Sequence, residues 1–144
     1  MKKQLEITLV TLHSGSARTV VTLDLGEGSD VERFLLSLYE SDPTSYDKFQ
    51  ARFRAVAEHD RFENKITFRS LKGHKGLFEF KIKNPALRIY AFYDHLPDMG
   101  EKLIITACAS DKSNQTKSIK KAAAWRSRYL EAKKRPDTIL HLKD

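Results

Sequence analysis

Lysine and arginine are the side chains whose number and spacing could do chemistry in this sequence. Between Lys112 and Arg135 stand nine cations and one acid, Glu131, a density that repels itself unless negative charge lies close by. Lys112, Lys117, Lys120, Lys121 and Arg128 belong to this group. A second set, Lys65, Arg69, Lys72, Lys75, Lys81, Lys83 and Arg88, is interleaved with Phe68, Phe78, Phe80, Tyr90 and Phe92. Phosphates would balance the cations, and the rings between them could stack on bases. The plainer alternative is that Lys and Arg sit in water on any globular fold, so a solvated helix face accounts for any single residue equally well. For Phe78 and Phe80 the core is the better place, whereas for Tyr90 and Phe92 stacking and core burial balance.

The division of charge along the chain points the same way. Residues 1–64 hold 8 Lys/Arg against 11 Asp/Glu and residues 65–144 hold 18 against 8, so the halves carry −3 and +10 of the net +7. A positive face that attracts a polyanion is expected, and an acidic protein would feel the same field. Cys108 is alone and cannot close an internal disulfide, and no paired Cys or His spacing offers a zinc site, so neither metal nor cofactor is expected. Within an apolar strand Cys108 reads as a small core residue. No run approaches the roughly 18 apolar residues of a membrane helix, and Met1-Lys2-Lys3 leads into strand-like alternation, which predicts a cytoplasmic protein without membrane contact.

The elements that must position these residues follow from local pattern. Leu5 to Leu12 and Thr19 to Leu25 are β-rich and flank the turn-forming His13-Ser14-Gly15-Ser16-Ala17, which predicts an N-terminal β-hairpin. Ser29-Asp30-Val31-Glu32 is a capping box, and Val31, Phe34, Leu35 and Leu38 follow at helical spacing. Asp42-Pro43 ends that helix and opens a second with Tyr46, Phe49 and Phe53 on one face, so the two pack as a helical hairpin on the sheet. Phe78 to Lys83 alternates strictly, which sends Phe78, Phe80 and Ile82 inward and Glu79, Lys81 and Lys83 outward. Leu87 to Tyr93 alternates again, with Arg88, Tyr90 and Phe92 on one face. After a turn at Pro97, Asp98 and Gly100, Lys102 to Ala109 reads as a central strand. A basic helix begins near Gln115 to Ser118, buries Ile119, Ala122, Trp125, Tyr129 and Ala132, and stops at Pro136. One α+β domain over residues 1–135 and a short tail over 136–144 are expected.

The order of these parts resembles the RelE/ParE toxin superfamily, closest to the phage-associated HigB-like branch of type II toxin–antitoxin systems. The likeness rests on Leu71-Lys72-Gly73, Leu77-Phe78-Glu79-Phe80-Lys81 and Leu87-Arg88-Ile89, in that order and before a strand and a basic helix. It implies a small, curved, mainly antiparallel sheet with the helical hairpin on one face and a basic open face. It also implies a ribosome-dependent endoribonuclease that cleaves messenger RNA by metal-independent attack of a 2′-hydroxyl. The partners implied are the ribosome, the message and a cognate antitoxin of the HigA helix-turn-helix type.

Carried over residue by residue, the resemblance gives Lys81 phosphate stabilisation or base duty, Arg88 a phosphorane clamp, and Lys112 the place of a family lysine pair. The Ser110-Asp111-Lys112-Ser113-Asn114 loop departs from that family pattern, leaving one lysine beside an acid. His74 in Lys72-Gly73-His74-Lys75-Gly76 is the best placed histidine, since flanking lysines favour a neutral imidazole that can accept a proton, although an ordinary loop histidine is the better reading. His141 in the tail is a further candidate. Lys72, Lys75, Lys83, Tyr90, Phe92, Lys117, Lys120, Lys121 and Arg128 would contact RNA. The alternative on the same scaffold is a non-catalytic RNA or ribosome binder, or an inhibitor of DNA gyrase.

Overall fold

A computed structural model describes residues 5–59, 68–96 and 101–144. Lys65 and the expected turn at Pro97, Asp98 and Gly100 lie outside them. The chain opens with β1 (Glu6–Ser14) and β2 (Thr19–Asp24), an antiparallel hairpin as its alternation requires. Two helices follow, α1 (Asp30–Ser41) and α2 (Pro43–Glu58). Ser29 caps α1 by accepting the Glu32 amide at 3.1 Å, and its hydroxyl meets that of Thr22 at 2.5 Å, which ties the helix start to β2. Asp42 accepts the Ser45 amide at 3.3 Å to begin α2, with Pro43 in the first turn where no amide is needed.

The second half contributes β3 (Phe68–Ser70), β4 (Phe78–Ile82), β5 (Leu87–Leu96), β6 (Glu101–Asp111), a short 3-10 turn over Lys112–Asn114, α3 (Gln115–Lys134) and β7 (Ile139–Lys143). All seven strands form one sheet in the order β3-β4-β5-β6-β2-β1-β7. The pairs β1–β2, β3–β4, β4–β5 and β5–β6 are antiparallel, whereas β2–β6 and β1–β7 are parallel. The sheet is therefore mixed and larger than expected. Two strands had no clear signal: β3 is only three residues long, and β7 lies in the segment read as a tail. Ile139, Leu140 and Leu142 are partly sheltered there, enough apolar surface to hold the segment against β1.

Each sheet face carries its own core. On one side Val31, Leu35 and Leu38 of α1 and Phe49, Phe53 and Val56 of α2 pack on Val20, Phe80, Ile82, Ile89 and Ile104. On the other, Ala122, Tyr129 and Ala132 of α3 pack on Leu9, Val21, Leu23, Phe92, Leu103 and Ile105. The helical hairpin keeps to one face as expected. The second face is not open: its strands present Tyr90, Phe92, Leu103 and Ile105 to that side, and such apolar surface must be covered. Its cover, α3, is also tied to the sheet at Asp94. That carboxylate accepts the Tyr129 hydroxyl and meets Lys133 Nζ at 2.8 and 2.9 Å.

Two contacts fix the ends of the central pair. The tip of the N-terminal hairpin sits on the end of α2, where Ala57 O accepts the amides of Ala17 and Arg18 at 2.9 and 3.0 Å. Arg18 adds its guanidinium to Val56 O at 2.5 Å and His59 O at 3.0 Å, which satisfies carbonyls that the helix end leaves over. At the other end the β2–β6 register stops at Thr22–Thr106. Asp30 then accepts the Ala109 amide at 3.2 Å and pairs with Lys121 at 3.4 Å, joining α1, β6 and α3. Among the described residues no helix is long and apolar enough to cross a membrane.

Candidate functional site

The strands β3, β4 and β5 bring four charged side chains together. Cross-strand register sets Lys81 opposite Arg88, Glu79 opposite Tyr90, and Arg69 opposite Glu79. Because side chains alternate, Glu79, Lys81, Arg88 and Tyr90 share the sheet face that α3 packs on, while Phe80 and Ile89 enter the core below α1 and α2. Glu79 is the centre: its Oε1 accepts Arg69 Nε at 2.7 Å and its Oε2 lies 3.2 Å from Arg88 Nε. Only 2% of the Glu79 side chain and 10% of the Arg88 side chain is exposed, against 49% for Arg69. A buried carboxylate needs such partners, since leaving one charge unpaired in the interior costs several kcal/mol. Glu79, expected to face solvent, is thus drawn inward by its two arginines.

Lys81 stands at the open side of this ion pair and is partly exposed. Desolvation lowers its pKa below that of an ordinary lysine, Arg88, Arg69 and Lys83 add to the effect by repulsion, and Glu79 opposes it. The strip holds three cations, Arg69, Lys81 and Arg88, against the one carboxylate of Glu79, and is net positive. Among the described residues Arg88 Nη1 is buried with no hydrogen-bond acceptor, an arrangement that costs about 1–3 kcal/mol. Buried and held by Glu79, Arg88 is not exposed as the open clamp expected of it would be.

Tyr90 and Phe92, assigned to base stacking, are wholly buried. The Tyr90 hydroxyl bonds Ser110 Oγ at 2.9 Å, and Phe92 meets the Tyr129 ring at 5.6 Å between centroids, so α3 occupies the surface that a base would need. His74 is exposed in the β3–β4 turn, and no hydrogen bond or ion pair joins it to Lys81 or Arg88. His141, on β7, lies at the opposite edge of the sheet, 3.7 Å from Glu6, and cannot serve this site. Lys112 opens the 3-10 turn directly after β6, where Asp111 organises the loop by accepting the Ser113 and Asn114 amides at 3.0 and 3.1 Å; its side chain lies outside what is described.

The remaining cations surround the strip. Lys72, Lys75 and Lys83 are exposed in the turns at either end of β4. Arg126 of α3 lies against Gly76, its guanidinium 2.9 Å from where a Cβ would stand, which brings the helix to that basic turn. Lys117 and Lys120 are exposed on the first turns of α3. With Lys121, Lys117 lines a cleft of about 450 Å³ that also includes Phe34, Ser110, Asp111 and Ser118. The crowded charge of α3 finds its counter-ions within the protein: Lys121 pairs with Asp30, Arg128 with Glu27, and Lys133 with Asp94. Two of these acids, Glu27 and Asp30, come from the acidic first half of the chain and Asp94 from the second, and together they weaken self-repulsion as an argument for bound phosphate along the whole helix.

The sequence pattern counts Arg69 among the second cationic set and turns Glu79 to solvent, without joining the two groups that organise the site. The signal was present as an acid between two cations on the outward positions of neighbouring strands, but register across β3 was needed to join them. Compared with family models, with characterised proteins and with solved structures, the chain finds no match.

Proposed function

We propose that this protein is a toxin of a type II toxin–antitoxin system, acting in the cytoplasm as a ribosome-dependent endoribonuclease on messenger RNA. The supporting observation is the juxtaposition of Lys81 with Arg88 and Arg69 on one rigid three-stranded unit, with a lysine pKa lowered by burial and by those neighbours. Such a lysine can lose its proton and accept one from a ribose 2′-hydroxyl. The 2′-oxygen then bonds to phosphorus, the P–O bond to the 5′-oxygen breaks, and that oxygen takes a proton from water, so the products are a 2′,3′-cyclic phosphate and a 5′-hydroxyl. Arg69, half exposed, faces the charge that grows on the phosphorane, with Arg88 adding its field from below. Lys72, Lys75, Lys83, Lys117 and Lys120 flank the strip as exposed phosphate contacts. A HigA-type antitoxin would cover the same basic surface.

The test is controlled expression with mapping of message ends. Wild type arrests growth and leaves cuts within translated messages, whereas Lys81→Met, which keeps length without charge, leaves growth and messages intact. Undamaged messages on wild-type expression refute the nuclease. The second reading, a non-catalytic RNA or ribosome binder or a gyrase inhibitor on this scaffold, is favoured by Asp111, which organises the loop where the resemblance expects a lysine pair. Growth arrest with intact messages and DNA damage would select gyrase, and salt-sensitive RNA binding without arrest would select the inert binder.

A further inference from the structure

We propose that Glu79 is the positioning residue of the cationic strip: its carboxylate, gripped by the Nε atoms of Arg69 and Arg88, fixes two guanidiniums beside Lys81 and sets the net charge that a phosphodiester meets. The role rests on the reading of the strip as an RNA site, but the geometry stands apart from it. One carboxylate with 2% exposure spends both oxygens on arginines from two different strands, Arg69 on β3 at 2.7 Å and Arg88 on β5 at 3.2 Å. Each arginine meets the carboxylate through Nε, and among the described residues Arg88 Nη1 is buried without a hydrogen-bond acceptor. A pair built only for stability would spend that nitrogen too, because an unmade hydrogen bond at a buried guanidinium is a net cost. Glu79 is also the one anion beside Lys81 on its own strand.

Among the described residues the groups that face Lys81 are few. Glu79 and Lys83 lie on β4 itself, Arg69 on β3, and Arg88 and Tyr90 on β5. From α2, Arg52 Nε reaches the Lys81 carbonyl at 3.5 Å on the far face, and on the other side of β5 the nearest charged group of β6 is Asp111, paired in register with Leu87. Of these Glu79 alone both touches the arginines and opposes their effect on the lysine. Removing its charge while keeping its length must therefore push Lys81 lower still and release Arg88. The acid limb of a rate profile that depends on neutral Lys81 then moves to lower pH, while the maximal rate falls because the arginines no longer hold their places.

The experiment follows full-length protein carrying labelled lysine and arginine by NMR, with Lys81→Arg for assignment, beside cleavage of a defined message on programmed ribosomes. In wild type the Arg88 Nε–H signal is expected to exchange slowly. In Glu79→Gln it is expected to be lost, Lys81 to titrate lower than in wild type, and kcat on the message to fall about 100-fold with KM little changed. Glu79→Asp, which keeps the charge, returns the Lys81 titration toward wild type. A folded Glu79→Gln protein with unaltered Lys81 titration and unaltered Arg88 exchange overturns the proposal. If Glu79→Gln does not fold, wild type decides: an Arg88 Nε–H that exchanges as fast as a free side chain overturns it equally. Neither NMR readout needs RNA, so a wild type that shows the lock but neither binds nor cuts a message removes the nuclease reading and leaves the positioning role standing.

Discussion

Replacing Arg88 should cost this protein much of its stability, which limits what the variant can say about activity. Arg88→Ala strands Glu79, whose side chain is 2% exposed, with a single arginine that is 49% exposed. Breaking a buried ion pair typically costs 3–5 kcal/mol, and the surviving Arg69 contact at 2.7 Å places this case near the lower end, about 3 kcal/mol. At roughly 3 °C per kcal/mol for a chain of this size, the melting temperature should fall by about 9 °C. Trp125 is the only tryptophan and packs against the α3-side core, so its fluorescence follows urea unfolding directly. Glu79→Leu with Arg88→Met should recover most of the loss, because apolar groups of similar size need no partners. Lys81→Met, at the partly exposed position, should change stability by less than about 0.5 kcal/mol. An Arg88→Ala protein with the urea midpoint of wild type would refute the reasoning, since Glu79 would then be content with Arg69 and water.

Three further outcomes test other parts of the fold. Gly15→Ala should destabilise by about 1–3 kcal/mol in urea titrations, because its Cβ would stand 2.4 Å from the Ala57 carbonyl and must lift the hairpin tip off α2; an unchanged midpoint would show that the tip moves freely. Burial would raise the pKa of Asp94, but hydrogen bonds from Lys133 and Tyr129 outweigh it and hold the carboxyl below its usual range. Its stabilising contribution is thus complete above about pH 4, where the unfolded carboxyl titrates, and is lost as pH falls through the lower folded value, so acid unfolding should be steeper in wild type than in Asp94→Asn. Burial pushes the Cys108 thiol up to about 12, with Asp30 adding to the effect, so a thiol reagent at pH 8 should label the unfolded chain and spare the native one.

Much of this fold can be read from sequence because local physics decides it. Ser29 and Asp42 announce α1 and α2 through caps that need only neighbouring amides, and the alternation of β4 and β5 fixes which residues enter the core. What alternation cannot say is what lies above the other face. Glu79, Tyr90 and Phe92 all sit on the side opposite the helical hairpin; the return of α3 covers Tyr90 and Phe92, and Glu79 is enclosed by Arg69 and Arg88. The pairing of Arg69 with Glu79 depends on a three-residue strand too short to have a period, and β7 depends on a parallel partner at the far end of the sequence. Lys81 and Arg88 were legible as a pair because their strands are consecutive and register is set within a few residues.

The parallel pairings have a bearing on how the molecule comes together during synthesis. Val20 waits for Ile104, 84 residues later, and Glu6 for Ile139, 133 residues later, whereas Arg69, Glu79, Lys81 and Arg88 all fall within one meander of 20 residues. Loop closure over such long separations is slow, and local hairpins form first. A nascent chain would thus carry its cationic meander well before the N-terminal hairpin finds either of its outer neighbours. The residues of the cationic strip would be shaped early, while the sheet around them is finished late.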